Sequence, residues 1–147
     1  MRIAIGCDPN AMEFMKTLIP FIESLGHECA DYGSDDPIYA NVAFAVAEDV
    51  AAGKYDRGVL ICGTGIGVAI AANKVRGAYA ATVCDVFQAR RAQLSNNANI
   101  ITLGAQVTGV ESGKCLVEAY LNASYEPNAR SAPKVERILE YEANNLK

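Results

Sequence analysis

The 147-residue chain has no tryptophan and only one histidine, His27. A lone histidine in the turn after Gly26 reads as a solvated loop residue, and its isolation argues against an imidazole triad or imidazole base. There is no CxxC pair. The five cysteines, Cys7, Cys29, Cys62, Cys84 and Cys115, are odd in number and scattered, which fits neither a disulfide framework nor a zinc cage. No metal and no cofactor is therefore expected. There is also no basic tract: 13 Lys and Arg against 17 Asp and Glu give a formal charge of -4, which disfavours a nucleic-acid partner. The longest weakly charged stretch, 58–73, is broken by glycines and too short for a membrane span, and the acid at Asp8 interrupts any signal-type apolar core. A cytoplasmic protein without a membrane partner is expected. Both the G-x-G-x-x-G dinucleotide fingerprint and a Walker lysine are missing, which sets aside a nucleotide-binding regulatory domain.

What is present is apolar. Hydrophobic residues make up 51% of the chain, more than an average soluble monomer carries, so part of that surface is expected between subunits. The length suits one domain, 1–147, around one core. Short β-type runs at 2–6, 28–32, 58–61, 78–83 and 99–103 alternate with helical spacing at 11–25, 39–52, 68–74, 86–94 and 109–123. That alternation predicts an α/β fold, a Rossmann-like doubly wound sheet of five parallel strands in three layers. After Pro127 and Asn128, a charged segment beginning with Ser131 as N-cap and Pro133 in the first turn predicts a further helix ending near Asn145. With no strand after it, this helix is expected to pack outward, onto another subunit.

In an open parallel sheet, ligands sit beyond the carboxyl ends of the strands. Strand one ends at Cys7 and Asp8, strand three at Cys62-Gly63-Thr64-Gly65-Ile66-Gly67, strand four at Cys84 and Asp85, and Ser95-Asn96-Asn97 precede strand five. Glycines let the backbone approach a ligand, and a helix starting near Gly67 directs free N–H groups at an anion or developing oxyanion. A glycine turn alone is equally a tight turn. Cys62 at its start adds a thiol able to serve as base or nucleophile as its thiolate. Cys29 and Cys115 read as core, Cys7 and Cys84 as packing thiols beside the candidate carboxylates Asp8 and Asp85, and Asp85 reads equally well as a helix N-cap.

On Gly6-Cys7-Asp8, the Cys-Gly-Thr-Gly-x-Gly run, Ala71-Ala72-Asn73-Lys74 and 96–104, the chain resembles the ribose-5-phosphate isomerase B and galactose-6-phosphate isomerase family over nearly its whole length. The resemblance implies metal-free aldose–ketose isomerisation of a small phosphorylated sugar. It also implies a homodimer with shared active sites and a last helix that reaches the neighbouring site, and leaves open whether dimers pair further into a tetramer. Carried over by position, it makes Cys62 the base and gives Thr64 and the amides around Gly63, Gly65 and Gly67 the developing oxyanion. Asp8, Tyr39 and Asn96 would hold substrate, and Arg130 and Lys134 the phosphate.

The departures concern substrate. Where members carry histidines, this chain has Pro9, Ser95 and Ser131, and Gln106 replaces an arginine. The histidine matched by Ser95 opens the sugar ring in pentose and hexose phosphate isomerases, and serine is a poor replacement near neutral pH. A tetrose 4-phosphate cannot close a furanose ring, because its O4 carries the phosphate. The resemblance therefore points to the branch that interconverts D-erythrulose 4-phosphate and D-erythrose 4-phosphate. Ribose-5-phosphate or galactose-6-phosphate isomerisation is the alternative, and a weakly catalytic, sugar-phosphate-binding subunit of a hetero-oligomer is another.

Overall fold

A computed structural model describes residues 1–33 and 35–146. The strands are β1 (Arg2–Cys7), β2 (Glu28–Asp31), β3 (Arg57–Cys62), β4 (Ala80–Thr82) and β5 (Ile100–Gly104); the helices are α1 (Met12–Ser24), α2 (Tyr39–Ala51), α3 (Ile66–Ala72), α4 (Val86–Asn96), α5 (Val110–Leu121) and α6 (Ala132–Asn145). All pairings are parallel, in the order β2-β1-β3-β5-β4. The expected doubly wound α/β sheet is thus observed.

Alternation along the strands builds two cores. Ile3, Ile5, Val59, Ile61, Ile101 and Leu103 face α1, α4 and α5, while Ala4, Leu60, Cys62 and Ile100 face α2 and α3. The central strands are buried on both faces, as parallel strands under helical layers must be, which is why their sequences read as continuous apolar runs. Truncating one such side chain, for example Ile101→Ala, costs about 3–4 kcal/mol.

Arg57, which the sequence does not flag, is buried at the start of β3. Its guanidinium donates to the carbonyls of Tyr120 (2.5 Å), Leu121 (3.2 Å) and Ala123 (2.6 Å), capping the end of α5 with a cation. The buried Tyr120 hydroxyl in turn donates to the Ala98 carbonyl at 2.9 Å.

Four details differ from expectation. α3 begins at Ile66 rather than near Gly67, because Gly65 takes the left-handed N-cap conformation. α4 runs two residues further than the apolar spacing suggests and includes Ser95 and Asn96. Ser131 stands at the N-cap of α6 without a side-chain capping hydrogen bond. Cys115 and Cys84 are exposed rather than packed. No described helix is long and apolar enough to cross a membrane.

Candidate active site

The strand register brings Asp8, Cys62 and Gly104 side by side at the carboxyl edge of the sheet. Cys7 lies opposite Ile61 and Cys62 opposite Gly104, and the Asp8 N–H donates to the Ile61 carbonyl at 2.9 Å. β1 and β3 send their following helices to opposite faces, so Asp8 and Cys62 flank the switch-point crevice where ligands of open α/β sheets bind.

The turn after Cys62 is held from several sides. The buried Cys62 Sγ accepts the Gly65 N–H at 3.1 Å, and the Thr64 hydroxyl accepts the Ile66 N–H at 3.3 Å. The Gly65 carbonyl accepts from Thr102 Oγ1 at 2.8 Å and Thr82 Oγ1 at 3.3 Å, and the two hydroxyls are 2.9 Å apart. Gly65 has φ +80°, and a Cβ there would stand 2.9 Å from the Leu103 carbonyl carbon, so no other residue fits. At Gly67 a Cβ would overlap the ring of Tyr39, which leads α2 and closes over the turn from the α2 side. Among the described residues the N–H groups of Gly63 and Thr64 meet no acceptor. α3 is only seven residues long, so these unpaired donors, rather than its dipole, are what the turn offers an oxyanion.

The other candidates divide by location. Asp8 Oδ1 caps the short 3-10 turn Pro9–Ala11 through Asn10 N at 2.8 Å, and Oδ2 makes no hydrogen bond among the described residues. Asp85 caps α4, accepting the Gln88 N–H at 2.8 Å, and the Gln88 amide oxygen accepts from Cys84 N at 2.9 Å, so the capping reading of Asp85 holds. Ser95 and Asn96 occupy the last turn of α4, which runs against the strands and delivers them to the amino edge beside Ile100, the opposite end from Cys62. Their position just before β5 in sequence points to the ligand edge; the antiparallel run of α4 places them at the other edge of their own chain. Ser95 is 7% exposed and its hydroxyl has no partner among the described residues.

Arg130 and Lys134 are exposed and sit where the segment before α6 is tied to the end of α4 by Glu126 N and the Leu94 carbonyl (3.4 Å). α6 rests on its own chain: Glu142 accepts from Gly77 N at 3.0 Å and from the Tyr79 hydroxyl at 2.6 Å. His27 is also at the amino edge, 3.2 Å from the Met1 amino group. One chain therefore unites Cys62, Thr64, Gly63, Gly65, Gly67, Asp8 and Tyr39 and leaves Ser95, Asn96, Arg130 and Lys134 apart. A cavity of about 450 Å³ lies between β4, α4 and α6; it touches Asn96 and Val135 and none of residues 62–67.

Thr82 and Thr102, which hold the turn, escaped the sequence reading. The hydroxyl interrupting Ile100-Ile101-Thr102-Leu103 was the available signal.

Residues 3–138 match the family model described as Ribose/Galactose Isomerase. The chain is 44% identical over 146 residues to D-erythrulose-4-phosphate isomerase of Pectobacterium atrosepticum, covering 97% of this chain and 95% of that protein. It is 41% identical to Ribose-5-P isomerase B of Listeria innocua over 148 residues, covering 99% of each. Ribose-5-phosphate isomerase B from Mycoplasma genitalium, solved with bound ribulose-5-phosphate, superposes with a TM-score of 0.90 at 30% identity, covering 98% of this chain and 97% of that one. With the glycine turn, the cysteine and the strand order in place, these matches show that the chain belongs to the ribose/galactose isomerase family, in agreement with the isomerase expected from its sequence.

Proposed function

We propose that this protein interconverts D-erythrose 4-phosphate and D-erythrulose 4-phosphate through a cis-enediolate, with Cys62 as the base. The Cys62 thiolate takes the proton from C2 of the aldose, the electrons moving onto O1. It returns that proton to C1 while the O2 hydroxyl proton passes to O1, giving the ketose with no net change of atoms. The free N–H groups of Gly63 and Thr64 and the Thr64 hydroxyl stabilise the enediolate oxygen, the contribution that usually lowers such barriers most. Asp8 and Tyr39 hold the substrate from the crevice walls.

The observation that carries the choice of substrate is the lack of an imidazole for ring opening. Ser95 stands at the matching position, and the one histidine is engaged with the Met1 amino group at the far edge. A tetrose 4-phosphate needs no ring opening, and a relative at 44% identity bears that activity in its name. The second reading, ribose 5-phosphate isomerisation, is favoured by the Listeria relative at 41% identity.

The phosphate is held by Arg130 and Lys134 of a second copy, which also brings Asn96 to the site, so the working form is a homodimer in the cytoplasm with shared sites. Supporting this, Ile66 (56% exposed) and Ile70 (58%), on the helix that follows the Cys62 turn, present apolar surface, and Phe87 at the start of α4 is 74% exposed.

Proton NMR in D₂O with each sugar phosphate tests the substrate, because enediolate chemistry exchanges the migrating proton. Exchange that is faster on D-erythrose 4-phosphate and abolished in Cys62→Ala is the expected result; faster exchange on ribose 5-phosphate selects the second reading. Mixing Cys62→Ala with Lys134→Ala tests the shared site. Random re-pairing makes half the dimers mixed, each with one intact site, so about a quarter of wild-type activity returns at low substrate. No recovery above the parents places the phosphate within one chain.

A further inference from the structure

Gln106 follows β5 in a turn fixed by backbone hydrogen bonds: Ala105 N to the Cys62 carbonyl (2.8 Å), Gln106 N to the Gly63 carbonyl (2.9 Å), and Val107 N and Thr108 N to the Gly104 carbonyl (3.0 and 2.8 Å). Its side chain folds back against the residue after the catalytic cysteine. A Cβ on Gly63 would stand 3.3 Å from both Cδ and Oε1 of Gln106 and 3.6 Å from Nε2. The carboxamide is exposed and makes no hydrogen bond among the described residues. An unbonded amide on a surface loop is ordinary; one whose backbone is bonded to the carbonyls of Cys62 and Gly63 is held beside the Cys62 turn.

The chemistry of that group decides what it can hold. A neutral carboxamide offers one acceptor and two donors, which suits a hydroxyl, whereas a phosphate dianion calls for cationic donors. The turn 104–109, Gly-Ala-Gln-Val-Thr-Gly, carries no Lys or Arg. In a tetrose 4-phosphate, O1 and O2 carry the enediolate charge and face the Gly63–Thr64 turn, and O4 bears the phosphate. The one neutral hydroxyl left is on C3. Resting on the tetrose phosphate reading above, we infer that Gln106 is a specificity-determining residue that hydrogen-bonds the C3 hydroxyl and sets the preferred configuration there. The substrate then lies with C3 toward β5 and its phosphate directed away from that turn.

D- and L-erythrulose 4-phosphate differ only at C3, so they test this directly. Wild type, Gln106→Leu, Gln106→Ala and Gln106→Arg are assayed for kcat/KM on both enantiomers, with thermal unfolding as a folding control. Loss of one neutral hydrogen bond lowers kcat/KM for the preferred enantiomer about tenfold in the Leu and Ala variants, with little effect on the other, so the preference collapses by the same factor. An unchanged preference in folded variants overturns the inference, as does a lower KM in Gln106→Arg, which would put the phosphate at this turn. Wild type inactive on both enantiomers but active on ribulose 5-phosphate refutes the tetrose reading itself and this inference with it; wild-type activity on a tetrulose phosphate with unaltered variants refutes the inference alone.

Discussion

The two ends of the sheet are built from the same strands yet treat their polar groups oppositely. At the amino edge, the Arg57 guanidinium is consumed by the three carbonyls of Tyr120, Leu121 and Ala123, and Tyr120 by Ala98. At the carboxyl edge, the Gly63 and Thr64 N–H groups are left without acceptors among the described residues while the atoms around them are fixed: the Gly65 carbonyl by Thr102 and Thr82, and Cys62 Sγ by the Gly65 N–H. A satisfied buried polar group stabilises the fold, and an unsatisfied one on a fixed frame is ready to receive charge. Position along the strands thus separates scaffold from chemistry.

Substitutions at the two edges should therefore fail in different ways. Removing the proposed base with Cys62→Ala should lower turnover about a thousandfold with the unfolding midpoint nearly unchanged, since a general base acts on the transition state. Arg57→Met does the reverse: it orphans three carbonyls and lowers stability by about 3 kcal/mol, read from urea unfolding, while molecules that remain folded keep their kcat. A large loss of kcat in folded Arg57→Met, or of stability in Cys62→Ala, would break the division.

Thr102→Val probes the carboxyl edge between these extremes. The swap keeps shape but removes the 2.8 Å hydrogen bond to the Gly65 carbonyl. Stability falls by about 1 kcal/mol and kcat about tenfold, because the turn loses its fixed position, while KM, set in the proposed reading by contacts to the phosphate, stays within about twofold. Equal losses in KM and kcat would make Thr102 part of substrate binding.

The same division explains what could be seen in the sequence. The alternating apolar runs announce the strands because burial on both faces leaves no other pattern, and the Cys62 to Gly67 turn announces itself through glycines that the close backbone contacts demand. The separation of Ser95 and Asn96 from Cys62 within one chain is not legible, since it depends on α4 continuing two residues and running against the strands, which local spacing does not encode. Cys115 misleads: a position within an apolar helical pattern says nothing about which face of α5 it takes, and it takes the exposed one. The Thr82 and Thr102 clamp requires the β4–β5 pairing, a long-range fact.

The finest contrast is between two thiols at the same edge. Cys7 and Cys62 end adjacent strands, but Cys7 points into the α1 side of the core and is fully buried, whereas Cys62 meets the glycine turn. Burial pushes the Cys7 thiol up to about 11 from 9.0, with the carboxylates of Asp31 and Asp8 adding to the effect and Lys16 opposing it. The unfolded chain therefore releases the Cys7 proton at lower pH than the folded one. The resulting stability is intact below about pH 9 and declines as pH rises toward 11, by about 1 kcal/mol at pH 10. Cys29, raised to about 12 mainly by burial, declines in the same direction, so the comparison must be made against Cys7→Ala rather than against neutral pH alone. Urea unfolding of the two proteins at pH 7.5 and pH 10 should show the wild type losing about 1 kcal/mol more than Cys7→Ala, whose own cavity penalty is the same at both pH values and cancels. Equal losses would mean that Cys7 ionises as readily in the folded protein as in the unfolded chain, and the distinction between a packing thiol and a working one would then rest on Cys62 alone.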